Sequence, residues 1–267
     1  MNDTFSPVCS PENQEMISPE LIRSLGMPPA EIYASAENIV KLAKAAGEAD
    51  GRGFVLLPFC HTVEAKALGA DIKPADDTAG PRPGAYALKG PEELSPVEIA
   101  KSPEAARLLE ACRELSAEGR AVVYQLSGPV SILSCMMPLN NFFKIWRKEP
   151  EAARRCLDGI AGMLLDFARE IRAAGVKYIS YSDPAGNRDI LGPKYSRQMT
   201  EDFTLPFLKR LAEACGEETA VIICPLTAQA LTTENHIAAA KAGETGEISA
   251  GCVKRGGLPE RRNFRLV

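Results

Sequence analysis

"PEAARRCLDGIAGMLLDFAREIRAAGVKYISYSDPAG", residues 150–186, changes its hydrophobic period once. Cys156, Ile160, Met163, Leu164, Phe167 and Ile171 recur at steps of three and four, which lines one face of a helix with apolar side chains. Gly175 stands where that helix stops, as a C-cap residue does. The period then shortens, and VKYISYSDP (176–184) is a nearly continuous apolar run closed by an acid and a proline. A strand apolar on both faces is covered on both faces, the condition of a parallel sheet. Helix, glycine, buried strand and polar strand end together make one unit of a parallel α/β fold.

The same unit recurs on either side. GFVLLPF (53–59), AVVYQLSGP (121–129) and TAVIICP (219–225) are further strands of the same kind. Residues 35–49 and 102–119 read as helices, the second with Ser102 as N-cap, Pro103 and Glu104 in its first turn and Gly119 at its end. SRQMTEDFTLPFLKRLAEACG (196–216) is a helix expected to kink or split at Pro206. Such alternation predicts either a barrel or a doubly wound sheet. No G-x-G-x-x-G or G-x-x-x-x-G-K follows a strand, which removes the usual dinucleotide and P-loop readings. Residues 68–94, with four prolines and four glycines, form a long irregular passage of the sort that serves or covers a site.

With 267 residues and 45% hydrophobic composition, the chain is large enough for a single core spanning residues 1–267. Residues 1–50 make an N-terminal segment and helix, and 226–267 a shortened C-terminal part. A net charge of −4 gives no reason to expect nucleic acid, and the basic tail VKRGGLPERRNFR is expected to be solvated. No run reaches the length of a membrane span, and MNDTFSPVCSPENQ does not read as a signal peptide, so the expectation is a cytoplasmic protein. The eight cysteines (9, 60, 112, 135, 156, 215, 224 and 252) are then thiols, and with no C-x-x-C pair any metal site draws on ligands far apart in sequence.

Chemistry in a parallel α/β fold collects at the carboxyl ends of the strands. Here those ends carry Cys60 and His61, Ser127 and Gly128, then Tyr181, Ser182, Asp183 and Asn187, and Cys224. Asp183 either faces a ligand or caps its own Asp-Pro-Ala-Gly turn. His61 is a candidate site residue, whereas His236 reads as solvated on a polar helical face. Cys224 and Cys252, each closing a short apolar run, are a candidate thiolate pair for zinc.

From GPVSILSCMM (128–137) through the 150–186 stretch to ILGPKYSRQMTEDFTLPFLKRL (190–211), the sequence resembles the uroporphyrinogen decarboxylase superfamily. LPFCHTVEAKALGADI (57–72) and the passage from Ser6 to Gly47 look closer to its corrinoid-dependent branch, the methylcobalamin:coenzyme M methyltransferases. The resemblance implies a (β/α)8 TIM-type barrel. It also implies transfer of a methyl group between a methylcobamide and a small thiol or related acceptor, a corrinoid protein as partner, and zinc on a His-x-Cys pair plus a later cysteine. On this view Cys224 and Cys252 are metal ligands, Asp183, His61 and Tyr181 are catalytic, and Asn187, Ser182 and Cys60 hold the cofactor or acceptor.

Two departures qualify that expectation. The matching pair reads Ile222-Ile223-Cys224, with isoleucine where the pattern has histidine, which favours a non-catalytic corrinoid- or tetrapyrrole-binding homologue as the alternative. Only 43 residues follow Cys224, so the barrel is expected to be abbreviated, with a strand edge that a homodimer could cover. Nothing matches the R-Q-A-G-R motif by which the decarboxylases hold substrate carboxylates, so decarboxylation is the least favoured reading.

Overall fold

The structure, a computed structural model, describes residues 17–241, 245–254, 257–259 and 262–267. Cys9, the start of the family-like N-terminal passage, and Arg255, Gly256, Glu260 and Arg261 of the basic tail lie outside them. The strands are β1 (Phe54–Leu57), β2 (Ile72–Lys73), β3 (Arg82–Pro83), β4 (Ala121–Ser127), β5 (Tyr178–Ser182), β6 (Ala220–Ile223), β7 (Ile237–Ala239), β8 (Ile248–Ala250) and β9 (Phe264–Leu266). The helices are α1 (Pro19–Ser24), α2 (Ala36–Ala49), α3 (Val63–Ala67), α4 (Pro103–Ala117), α5 (Pro129–Met136), α6 (Leu139–Lys148), α7 (Pro150–Ala173), α8 (Arg188–Met199), α9 (Leu205–Cys215) and α10 (Pro225–Thr233).

The fold is α/β. Strands β1, β4, β5, β6 and β8 lie side by side in that order, all parallel, and the sheet continues through β9 and β7 in antiparallel pairing. Strand order follows chain order through the parallel part, without the reversal that defines a doubly wound sheet. Among the described residues β1 pairs only with β4 and β7 only with β9, so the sheet has two edges.

The expected solvated tail is corrected here. Phe264–Leu266 is a strand of the main sheet, and Arg262 donates to the carbonyls of Gly216 and Thr219 at 2.5 and 3.1 Å. A basic run looks solvated when its charges are counted alone, but a guanidinium is a rigid fork of donors that can hold two carbonyls at a helix end.

Strand register and the two-residue period separate the faces of the sheet. Val55, Leu57, Val122, Tyr124, Leu126, Ile179, Tyr181, Val221 and Ile223 join the main core with the helices. On the other face Phe54, Val123, Ile222 and Val253 form a second apolar cluster, with Leu56, Ala121, Tyr178 and Leu258 against it. Further along the same strands this second face turns polar: Gln125 lies beside Ser180, and Ser127 beside Ser182. An apolar floor thus sits beneath polar strand ends.

The helices supply the covering layer. Ser35 accepts the N–H of Asn38 to start α2, and Ile39, Val40, Leu42 and Ala43 give it a buried face. In α7 Cys156, Ile160, Leu164, Phe167 and Ile171 are buried, and Gly175 follows with a φ of 85°, a conformation that costs a side-chain-bearing residue about 1 kcal/mol or more. The split expected at Pro206 falls just ahead of it, and an earlier interruption precedes it. Gly192, at φ 72°, interrupts α8 ahead of Pro193, and Thr200–Thr204 widen into a π turn before α9. Pro206 is the second residue of α9, directly after that π turn and within a continuous helical run, so the ladder is disturbed where its N–H is missing.

Candidate functional site

A cavity of about 630 Å³ opens at the carboxyl ends of the parallel strands. Cys60, His61, Gln125, Ser180, Ser182, Cys224, Cys252 and Lys254 line it, and residues 75–81 of the long irregular passage stand at its side. Of the candidates named from sequence, this cavity gathers Cys60, His61, Ser182, Cys224 and Cys252. Asp183, Tyr181 and Asn187 are not among its lining residues.

β1 ends in the Leu57–Pro58 cis bond, after which Cys60 and His61 turn toward the cavity. Cys60 Sγ accepts from the hydroxyls of Tyr33 and Thr62, both at 3.3 Å, and burial pushes its thiol pKa up. Tyr33 Oη also accepts the N–H of Phe59 at 2.7 Å, so one tyrosine holds the strand end and its sulfur together. Burial, with the Lys254 cation second, lowers His61 to about 4, which leaves a neutral imidazole near neutral pH. On β4, Gln125 Nε2 donates to the Pro58 carbonyl at 3.0 Å and ties β4 to the end of β1.

Cys224 closes β6 and caps α10. Its Sγ lies 3.5 Å from the N–H of Thr227 and 3.3 Å from its hydroxyl. Cys252 follows β8, just before the turn at Val253 and Lys254.

Asp183 follows the next side-chain parity along β5 and faces the helices. It accepts from the N–H of Val130 at 3.1 Å and from both the N–H and the hydroxyl of Ser131 at 2.7 Å. The helix it caps is α5, not its own turn. Burial pushes the carboxyl up to about 6 against the pull of those donors. Tyr181 is buried with its ring 5.3 Å from that of Phe207. Both line a small second cavity of about 30 Å³, with room on the order of one water molecule. Asn187 starts α8, its side-chain oxygen accepting from Asp189 and Ile190 at 2.9 and 3.0 Å. His236 lies just after α10, partly buried, with Nε2 3.9 Å from Glu201, so it is not on an open helical face.

Several residues escaped the sequence reading. Lys254 reads as part of the basic tail, and Tyr33 lies in a passage with no strand beside it. Glu64 is the sharpest case. It is 0% exposed in α3, neither carboxyl oxygen closes a hydrogen bond, and burial lifts it to about 7. Ser127 and Tyr124 face it and oppose that shift without meeting hydrogen-bond geometry.

Residues 15–241 match the family model described as uroporphyrinogen decarboxylase (URO-D). The chain belongs to the URO-D family. Within that family it is similar to the methylcobamide:CoM methyltransferase MtaA of Methanosarcina barkeri strain Fusaro / DSM 804, with 26% identity over 225 residues. A second MtaA sequence from Methanosarcina barkeri gives the same figures. Among solved structures it is similar to a methyltransferase from Methanosarcina mazei, with a TM-score of 0.69 and 26% identity. In each case the match covers 82% of this chain and 64% of the relative, so this URO-D protein spans a little under two thirds of their length. The branch anticipated from the sequence is therefore the one these relatives represent. No helix among the described residues is long and apolar enough to cross a membrane.

Zinc, which the resemblance implies, needs about three protein ligands and one open position at a catalytic site. Ile222, at the position implied for histidine, is fully buried in the apolar floor. Among the described residues no three His, Cys, Asp or Glu side chains gather as a metal would require. The donor set among the described residues does not fit such a centre.

Proposed function

We propose that this URO-D protein is a corrinoid-linked, methyltransferase-like protein whose large cavity holds a small thiol or related acceptor. A methylcobamide, alone or on a corrinoid protein, supplies the methyl group at the cavity mouth. The observation that carries the proposal is the gathering of thiols, imidazole and a lysine in one cavity at the strand ends. It occurs in a chain 26% identical to a methylcobamide:CoM methyltransferase over 225 residues. Parallel strands in unreversed chain order support placing that cavity at the mouth of a (β/α)8-type barrel.

In the proposed reaction the acceptor's thiol proton passes to solvent water at the cavity mouth, and the sulfur attacks the methyl carbon. The methyl–cobalt bond then breaks with its electron pair left on cobalt. His61 is too weak a base to take that proton. With a pKa of about 4 against roughly 8.5 for a free thiol, the transfer is uphill by about 6 kcal/mol. Its role is instead to orient the acceptor through a neutral imidazole, while the Lys254 cation favours the sulfur anion. Ser180, Ser182 and Gln125 supply hydrogen bonds along one wall, and the floor of Phe54, Val123 and Ile222 excludes water below. Asp183 and Tyr181 act from the helix side, as positioning residues for the ends of β4 and β5.

Anaerobic mixing with methylcobalamin and a panel of small thiols tests this reading. Thiol-dependent loss of the methylcobalamin spectrum, with the methylated thiol identified by mass, is the expected result. A corrinoid absorbance shift without methyl transfer would instead establish the second reading, a binding protein, which Ile222 in place of a metal-binding histidine favours. Neither signal would sink both readings.

A further inference from the structure

Resting on the function proposed above, we infer that the cavity takes a neutral amphipathic thiol, with a hydrogen-bonding group near its sulfur and an apolar tail along the outer wall. Ile17, Pro19 and Ile22, in and just before α1, line the cavity together with Pro29 and Ile32 of the turn that follows and Phe59 after β1. Ser18, Pro19 and Glu20 are exposed, so this wall stands toward solvent. Gln125 and Ser180, which line the cavity from the strands, are 3% and 7% exposed. The polar groups are therefore the inner ones and the apolar wall the outer. A contiguous apolar wall beside an opening marks a site for an apolar group.

Ser180 supplies the second, independent observation. It sits on β5 beside Gln125 of β4, on the face that lines the cavity, and is more than nine-tenths buried. Its hydroxyl nevertheless closes no hydrogen bond with any described residue. Buried hydroxyls are normally paired, so this one is set for a polar group of the ligand.

Volume and charge set the rest of the ligand. Sites that enclose ligands of moderate size run to roughly 300–1,000 Å³, and at about 630 Å³ this cavity is far larger than a short-chain thiol fills. Two of the charged side chains on its lining are already paired within the protein: Arg23 meets Glu20 at 2.9 Å, and Asp76 meets Arg82 at 2.5 Å. Asp77, exposed on the same loop as Asp76, would repel an anionic tail. The tail is therefore neutral.

N-acylcysteamines carry an amide near the thiol and a tail of chosen length beyond it, and their S-methyl ethers, the products of the proposed transfer, bind without reacting. The full chain is titrated calorimetrically with S-methyl N-acetyl-, N-hexanoyl- and N-decanoylcysteamine, and with methyl alkyl sulfides of matching length that lack the amide. One molecule should bind per chain, with Kd falling by about threefold per added methylene, somewhat less than full burial gives because the tail is ordered. Ser180→Ala should weaken the amide series by about fivefold and leave the sulfides unchanged. Ile17→Asp, at a partly buried position of the outer wall, should flatten the length dependence. Equal affinity for short and long tails, no binding of any probe, or the same loss in both series for Ser180→Ala would overturn the inference. Since no corrinoid is present, a failure of methyl transfer leaves this result standing, whereas length-independent binding in a chain that does transfer methyl groups sinks the inference alone. Should either variant fail to fold, the two series on the unmodified chain decide.

Discussion

Asp183, at the end of β5, accepts hydrogen bonds from both the N–H and the hydroxyl of Ser131, each at 2.7 Å and from 52 positions away in sequence. The acid seats the first turn of α5 on the neighbouring strand end, where a carboxylate also meets the positive end of the helix dipole. The close approach depends on Gly128, because a Cβ added there would lie 2.4 Å from the Asp183 side chain.

Asp183→Ala should lower unfolding stability by about 2–4 kcal/mol, since it leaves buried donors of Val130 and Ser131 unpaired. Gly128→Ala should destabilise in the same range by forcing that contact apart. Urea denaturation measures both. A change within about 0.5 kcal/mol for either would show that the cap is not a structural requirement.

Glu64 sets a pH dependence. Its carboxyl is held at about 7 against an unfolded value of 4.5, so between these values the folded state binds more protons than the unfolded one. Stability from this group is full below the unfolded value and is lost as pH rises toward 7, amounting to ~3 kcal/mol. His61, lowered to about 4 from 6.5, contributes the opposite slope over an overlapping window. Glu64→Gln should therefore remove the falling component and leave the variant relatively more stable at pH 7.5 than at pH 4.5. Identical pH profiles for the two proteins would refute the assignment.

His61 and His236 are the only histidines, which makes the imidazole signals simple to separate by NMR. The His61 resonance should titrate with a midpoint of about 4. Lys254→Met should raise that midpoint by part of the shift only, because burial is the larger cause and the cation the smaller. An unchanged midpoint would mean that Lys254 does not reach His61.

Ile222→His would set an imidazole two residues before Cys224, on the face that carries Phe54, Val123 and Val253. The polar ring in this apolar floor should cost about 1–3 kcal/mol in the metal-free protein. Zinc retained after gel filtration should increase over the unsubstituted chain. Equimolar zinc already present in the unsubstituted chain would show that Ile222 is not what limits the donor set.

Legibility followed the length of each signal. β1, β4, β5 and β6 were readable because each is a run of apolar residues between breakers, and α2, α4 and α7 because burial repeats over several turns. The three-residue β7 and β9 have no such run, β8 shows only the short one ahead of Cys252, and β9 was hidden in a basic tail whose charges suggested only solvent. Cys60, His61, Ser182, Cys224 and Cys252 were found by their place at strand ends, which the fold brings to one cavity. Glu64 was not found, since in VEAKALG an acid between apolar residues looks like the outer face of a helix.

By itself the sequence determined the class of fold, the family and the strand ends at which chemistry would collect, because hydrophobic period and local breakers act over a few residues. Only the tertiary structure decided which strand-end side chains share the cavity. One step along β5 sends Ser182 to the cavity and Asp183 to the helices, and the partners of each lie tens of residues away. Parity fixes such a choice only after register is set by strands that are distant in the chain.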